Sequence, residues 1–305
     1  MPILSVRALS RRFGDTAAVE SLSFDVAPGQ LFGIVGPDGA GKTTLLRMLA
    51  GVLPPTSGDA LVRDVSVARE PERVKPFVAY MSQRFGLYQD LTVRENILFY
   101  ADLYRVPRRE LPARMSRLYQ FSRLEEFEHR LAGQLSGGMK QKLSLSCALV
   151  HQPDVLLLDE PTFGVDPISR RDLWLILHQM VVEGTTVIVT TSYLDEAERC
   201  DRVALLHEGR LLALDAPAAI QRRLEGRLLA VHGPEPRALR DALRGLPEVA
   251  RATLFGDTVH VVTAGTVSPA ALAGSLRARG IGGASVVPVP SSLEDAFIDL
   301  VGEQA

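Results

Sequence analysis

Residues 31 to 51 read LFGIVGPDGAGKTTLLRMLAG. The run Leu31 to Val35, apolar or small at every position, suits a strand covered on both faces, and the helical LLRMLAG begins after a glycine-rich bend. Between them, Gly36 to Thr44 carry G-x-x-x-x-G-K-[ST] in the strand, loop and helix context that this pattern requires. Glycines let successive backbone N–H groups turn inward around a phosphate, and the helix behind them adds the positive end of its dipole. Gly36, Pro37, Asp38, Gly39, Ala40, Gly41, Lys42, Thr43 and Thr44 are therefore the candidate phosphate cradle. Within it, Lys42 supplies a point charge for the β and γ phosphates and Thr43 a hydroxyl for Mg²⁺. A nucleoside triphosphate is the expected ligand.

Outward from this stretch, short apolar strands alternate with helical patterns to about residue 220: VAYMSQ (78 to 83), VLLLDEP (155 to 161), TTVIVTT (185 to 191) and RVALLHEG (202 to 209). Runs that are apolar on consecutive positions predict an α/β fold with a mostly parallel sheet between helices. VLLLDEP places Asp159 and Glu160 at the carboxyl end of its strand, where ligands sit in open α/β sheets. Asp159 is expected to hold the metal through water, and Glu160 to polarise an attacking water. From about 90 to 145 the chain reads as a helical subdomain, with arginines in RVPRRELPARMSR followed by acids in LEEFEHR.

Bulk properties exclude several classes. With 305 residues and 46% hydrophobic content, the chain can bury a large core, so wholesale disorder is excluded. A net charge of -2 and a pI near 6.3 leave no overall positive field for phosphodiester backbones, so no nucleic acid is expected as a partner. Cys147 and Cys200 lack metal-ligand spacing and read as reduced core residues, which favours a cytoplasmic location. No run reaches the ~18 uninterrupted apolar residues of a spanning helix.

The stretch DAPAAIQRRLEGR (215 to 227) reads as a hinge, because the periodicity resets after it. Beyond it come strand, helix, strand, a Gly256-Asp257 turn, strand, helix and strand, the βαββαβ order of a ferredoxin-like unit. A last helix begins in PSSLEDAFIDLV, where Ser291 and Glu294 fit a capping box and Leu293, Phe297 and Leu300 share a face. The expected domains are thus 1–222 and a small α+β domain at 223–305.

LSGGMKQ (135 to 141) is a second glycine-bearing helix start, which one nucleotide bound to one chain does not need; it makes sense if a second protomer contributes it. Together with the phosphate loop, LLLDEP, GVDP and an extended glutamine loop, all in order, it makes residues 4 to about 220 resemble the ATP-binding cassette family. That resemblance implies a P-loop NTPase fold, ATP and Mg²⁺ as ligands, ATP hydrolysis, a dimer of cassettes and separate multi-spanning permease subunits. It further implies a position on the inner face of the cell membrane. On matching positions it implies that Phe13 stacks on adenine and that Gln83 reaches Mg²⁺ and the attacking water. It also implies that Ser136, Gly137 and Gly138 contact the γ phosphate held by the opposite protomer, and that Asp166 links the two sites. The tail resembles the C-terminal domain of the drug-resistance and multidrug export branch, which implies export.

One position departs from the family. TTSYLDEAERCDRV matches on both sides of the strand exit, yet Ser192 stands where the family has a histidine. A serine hydroxyl is shorter than an imidazole, and a preorganised donor to a transition-state oxyanion is worth ~10² to 10³ in rate. Slow hydrolysis at this chain's own site is the expectation. Two arrangements fit: a slow homodimer, or an asymmetric heterodimer in which this chain lends an intact LSGGMKQ and binds ATP with little turnover. An ATP-dependent switch without a membrane partner fits less well, because the chain has a single LSGG, no basic linker and no long inserted coiled coil.

Overall fold

In the computed structural model, which describes residues 1–83 and 86–304, the chain opens on a hairpin, β1 (Leu4–Phe13) and β2 (Thr16–Val26), before entering β3 (Leu31–Val35). Helix α1 (Lys42–Leu49), β4 (Ser57–Val62), β5 (Val65–Ser66), the short α2 (Pro71–Val74) and β6 (Val78–Met81) follow. Next come α3 (Val93–Leu103), α4 (Leu111–Ser122), α5 (Gly137–Leu149), β7 (Val155–Asp159), α6 (Pro167–Val182) and β8 (Thr186–Thr191). The short α7 (Leu194–Ala197), β9 (Arg202–His207) and β10 (Arg210–Asp215) complete this part. The chain divides into two compact units, Met1–Leu214 and Asp215–Ala305.

The six-stranded sheet of the first unit has the order β10-β9-β3-β8-β7-β6 and is parallel from β9 through β6. β3, β7 and β8 are buried at every position, which is why their sequences are apolar without alternation. β3 lies inside the sheet, flanked by two strands that come much later in the chain, so the loop leaving it opens at the carboxyl edge.

A second, antiparallel sheet, β2-β1-β4-β5, packs into the same core through Phe24, which stacks on Phe32 at 5.3 Å. The sequence reading contains no counterpart of this sheet. Along β1 the register on β2 shifts three times and Ala8 turns left-handed (φ 46), so the period-two signal of a half-buried strand is broken.

Helices α3, α4 and α5 share a core of their own around Ile97, Leu118 and Leu143. Thr92 and Glu95 close a reciprocal capping box at the start of α3. Buried Asn96 accepts from Tyr88 N at 2.9 Å and donates to the carbonyls of Tyr88, Leu91 and Thr92, pinning the end of the loop that leaves Gln83.

The second unit begins with α8 (Pro217–Gln221), then β11 (Leu228–His232), α9 (Pro236–Arg244), β12 (Val249–Phe255), β13 (Thr258–Thr263), α10 (Pro269–Ala278), β14 (Ser285–Pro288) and α11 (Leu293–Gln304). Its sheet is antiparallel with the order β12-β13-β11-β14, the arrangement of a ferredoxin-like βαββαβ unit. Val259 and Val261 of β13 join the core with Leu239 and Leu243 of α9 and Leu272 and Leu276 of α10. His260 between them lies 2.7 Å from Asp295 of α11.

The cap of α11 differs from the expected pair by one residue. Ser292, rather than Ser291, accepts from Asp295 N at 3.1 Å, and Asp295 Oδ2 accepts in return from Ser292 N at 3.0 Å. Ser291 Oγ instead donates to Gln221 O at 2.7 Å. Two adjacent serines with acids at both i+3 positions are equivalent in sequence; the bond to α8 decides between them.

Two consequences follow for measurement. Ser292→Ala should cost the α11 cap about 1 kcal/mol and speed amide exchange at Asp295 roughly fivefold, while Ser291→Ala leaves that amide unchanged. In the first unit, His151 stacks on Tyr104 at 3.8 Å, and burial pushes its pKa from 6.5 down to about 4. The unfolded chain then binds the extra proton between those values, so the contribution of His151 to stability is full above pH 6.5 and is lost as pH falls toward 4. Urea midpoints should fall over that window, and His151→Phe should flatten the slope.

Candidate functional site

A cavity of about 370 Å³ lies at the carboxyl end of β3 and β7, lined by Asp38 to Thr44 together with Ala18, Gln83, Glu160 and Phe163. Its floor is the bend between β3 and α1. Gly41 caps α1 at φ 96, where an added Cβ would stand 2.3 Å from the carbonyl oxygen of Ala18. Helix α1 has no side-chain cap, so its first-turn N–H groups lack a side-chain acceptor, and the residues that carry them line the cavity. Such a cradle suits an anion.

Lys42, 4% exposed, donates from Nζ to the carbonyls of Gly36 (2.8 Å) and Pro37 (3.0 Å) and pairs with Glu160 Oε1 at 3.1 Å. Gln83 Nε2 donates to the other oxygen of Glu160 at 3.2 Å. Glu160 itself sits on left-handed backbone (φ 47), and its N–H donates to Thr190 Oγ1 at 2.9 Å. For a residue that is not glycine this backbone conformation is sparsely populated.

Asp159, 1% exposed, collects three hydroxyls: Thr43 (3.0 Å) and Thr190 (2.9 Å) on Oδ1, and Tyr80 (3.2 Å) on Oδ2. Burial, then the charge of Asp159, pushes the Tyr80 phenol up to about 12, so it remains a donor. Among the described residues no three His, Cys, Asp or Glu side chains cluster as a metal site. One aspartate and one threonine hydroxyl suit a hard cation that takes most of its oxygens from phosphate and water.

The remaining residues singled out from the sequence lie elsewhere. Ser136 caps α5, accepting from Met139 N at 3.3 Å, and Gly137 and Gly138 form its first turn. Asp166 caps α6, accepting from Ile168 N and Ser169 N; the Ser169 hydroxyl first, and then its N–H, hold the carboxyl below the usual range. The two helix starts touch: a Cβ at Gly138 would stand 2.4 Å from Ser169 Oγ. None of Ser136, Gly137, Gly138 and Asp166 lines the cavity.

Phe13, 48% exposed at the end of β1, is also absent from the lining, with the Arg11 guanidinium 4.7 Å from its ring centre. Ser192 is half-buried and follows Thr191, whose carbonyl accepts from Gly36 N at 3.3 Å. It therefore adjoins the phosphate bend without lining the cavity. Tyr80, Thr190 and Ala18 escaped the sequence reading. In VAYMSQ and TTVIVTT the first two read as ordinary strand residues, and only the pairing of β6, β7 and β8 brings their polar atoms to Asp159 and Glu160, while Ala18 comes from β2 of the other sheet.

Gly41→Ala combines a strained φ with a backbone clash, whereas Gly39→Ala (φ 81) meets nothing within 4 Å. Gly39→Ala should cost about 1 kcal/mol and Gly41→Ala clearly more, read from thermal unfolding of the full chain.

Residues 19–163 match the family described as ABC transporter. The chain is 43% identical over 305 residues to the probable multidrug ABC transporter ATP-binding protein YbhF of Escherichia coli (strain K12), covering 98% of the chain and 52% of that relative. The chain thus spans about half the length of this curated relative. It is 36% identical over 303 residues to Nod factor export ATP-binding protein I of Burkholderia orbicola (strain AU 1054), covering 99% of the chain and 97% of that protein. Among solved structures, an ATP binding subunit of an ABC transporter is similar with TM-score 0.67 and 29% identity over 73% of this chain and 93% of that one. The cbiO1 protein of Clostridium perfringens, part of the ABC transporter complex cbiONQ, is similar with TM-score 0.66 and 26% identity over 81% and 96%.

Proposed function

The chain belongs to the ABC transporter family of ATP-binding proteins, and on that premise we propose that it binds and hydrolyses ATP to drive export through separate membrane permease subunits. The observation that carries this reading is that Lys42, Thr43 and Glu160 line one cavity, with buried Asp159 bonded to the Thr43 hydroxyl, while LSGG and Asp166 sit at helix tips that do not line it. A site in which one chain supplies the cradle and a second supplies the helix tip accounts for both halves. Export is supported by the names of the relatives, one a probable multidrug ABC transporter ATP-binding protein and one a Nod factor export ATP-binding protein. Among the described residues no helix is long and apolar enough to cross a membrane, which is consistent with a permease made of other chains.

In this reading the bend around Lys42 wraps the β and γ phosphates, whose charge replaces the carbonyl partners of the ammonium. Mg²⁺, held by Thr43 and by Asp159 through water, with Gln83 reaching toward it, would neutralise charge on the phosphates. Glu160, steadied by Gln83 Nε2, orients the attacking water. Phe13 stacks on the base. The tips Ser136, Gly137 and Gly138 close on the partner's γ phosphate, and Asp166 lies beside them at the dimer seam. We assign the first unit to this ATP-binding part and the second, which the sequence reading starts at 223 and the compact unit at Asp215, to an accessory domain that regulates or dimerises the assembly.

Ser192 favours a second reading, in which this chain turns over little and pairs with a histidine-bearing cassette. Ser192→His should raise turnover by about 10- to 100-fold, and Glu160→Gln should abolish it, with ATP affinity retained in both. Phosphate release by the purified chain measures this. Wild-type turnover equal to that of the histidine variant would remove the serine as a handicap.

A further inference from the structure

Glu196, on the short α7, has no part in the chemistry above, yet it is 1% exposed. Its Oε2 accepts the hydroxyls of Thr162 (2.8 Å) and Thr191 (2.9 Å). Its Oε1 stands 3.4 Å from Arg170 Nε, and neither of those two atoms has a hydrogen-bond partner among the described residues. The Arg170 guanidinium also lies over the Tyr193 ring at 4.6 Å. Desolvating a carboxylate is costly unless opposite charge and hydroxyls compensate it, and here the compensation comes from three separate segments.

Each segment adjoins a residue of the proposed machinery. Thr162 is two residues past Glu160, in the loop that runs to Asp166. Thr191 ends β8 directly before Ser192, and its carbonyl accepts from the first residue of the phosphate bend. Arg170 follows Ser169, the residue against which Gly138 packs. Because Glu160 sits on left-handed backbone, its loop needs external anchors. Thr190 Oγ1 holds the N–H of Glu160, Gln141 of α5 donates to the Pro161 carbonyl, and Glu196 holds Thr162.

We propose that Glu196 is a positioning residue for ATP hydrolysis: it binds the loop from Glu160 to Asp166 to the strand that ends at Ser192, with Arg170 carrying the tie into α6. This rests on the function proposed above. One carboxylate thereby fixes the distance between the water-orienting glutamate and the switch position, and it ties both to the helix start that Gly138 packs against.

The test is Glu196→Gln in the full chain, which keeps size and shape but removes the charge that Arg170 faces. Turnover should fall about tenfold or more while KM for ATP stays within about twofold, the pattern of a lost transition-state arrangement rather than lost binding. Amide exchange of residues 161–166 should accelerate, with that of the second unit unchanged. Thr162→Val should produce the same loss, and the double variant should be no worse than the more impaired single one. Wild-type turnover and exchange in Glu196→Gln, or losses that multiply in the double variant, would overturn the proposal. If Glu196→Gln fails to fold, Thr162→Val carries the test by the same kinetic and exchange criteria. A wild-type chain that neither binds nor hydrolyses ATP would instead sink the proposed function, and exchange at 161–166 would still decide the positioning.

Discussion

A carboxylate buried at the end of β7 holds the first unit's business end together. Asp159 accepts hydroxyls from α1, β6 and β8, so three elements converge on two oxygen atoms. Losing one hydroxyl that bonds a charged group typically costs about 1.5–3 kcal/mol, because the carboxylate stays desolvated with one bond fewer. The carboxyl edge of the parallel sheet is thus tied to the start of α1 by a polar knot in addition to the apolar packing of α1 on the sheet. The apolar core beneath it, with Phe32 against Phe24 and every position of β3, β7 and β8 buried, provides the rigid floor on which that knot sits.

Next to that knot opposite charges meet. Asp159 and Glu160 are consecutive, Lys42 and Glu160 both line the cavity, and the Lys42–Glu160 pair at 3.1 Å is largely shielded from water. A polyphosphate entering the cavity meets a cation already dehydrated and N–H groups already aimed, which is the preorganisation that makes binding to anions strong. Each oxygen of the Glu160 carboxylate thus faces a donor from the cavity lining, Lys42 on one and Gln83 on the other. Gln83 comes from the loop whose far end Asn96 pins.

Much of this was legible in the residues. G-x-x-x-x-G-K-T between an apolar run and a helix specified strand, bend and helix, because only glycine tolerates the φ and the close approach at Gly41. The run VLLLD read correctly as a doubly covered strand, and the Gly256-Asp257 turn marked the hairpin of β12 and β13. What escaped shares one trait. β1 hides its alternation behind register shifts, Ser292 hides beside Ser291, and Tyr80 and Thr190 look like strand residues until their neighbours are known. Each depends on a partner distant in the chain.

By itself, then, the sequence determined the local chemistry: which bend cradles an anion, which strand ends in acids, which helix start is bare glycine, and that position 192 bears a hydroxyl rather than an imidazole. These follow from residue type and short-range spacing, where backbone sterics and periodicity act alone. Only the tertiary structure decided which hydroxyls surround Asp159, that Glu196 is buried among Thr162, Thr191 and Arg170, and that Gly138 abuts Ser169. The physical reason is that burial and charge compensation are properties of packed neighbours, and strand order places those neighbours far apart in sequence.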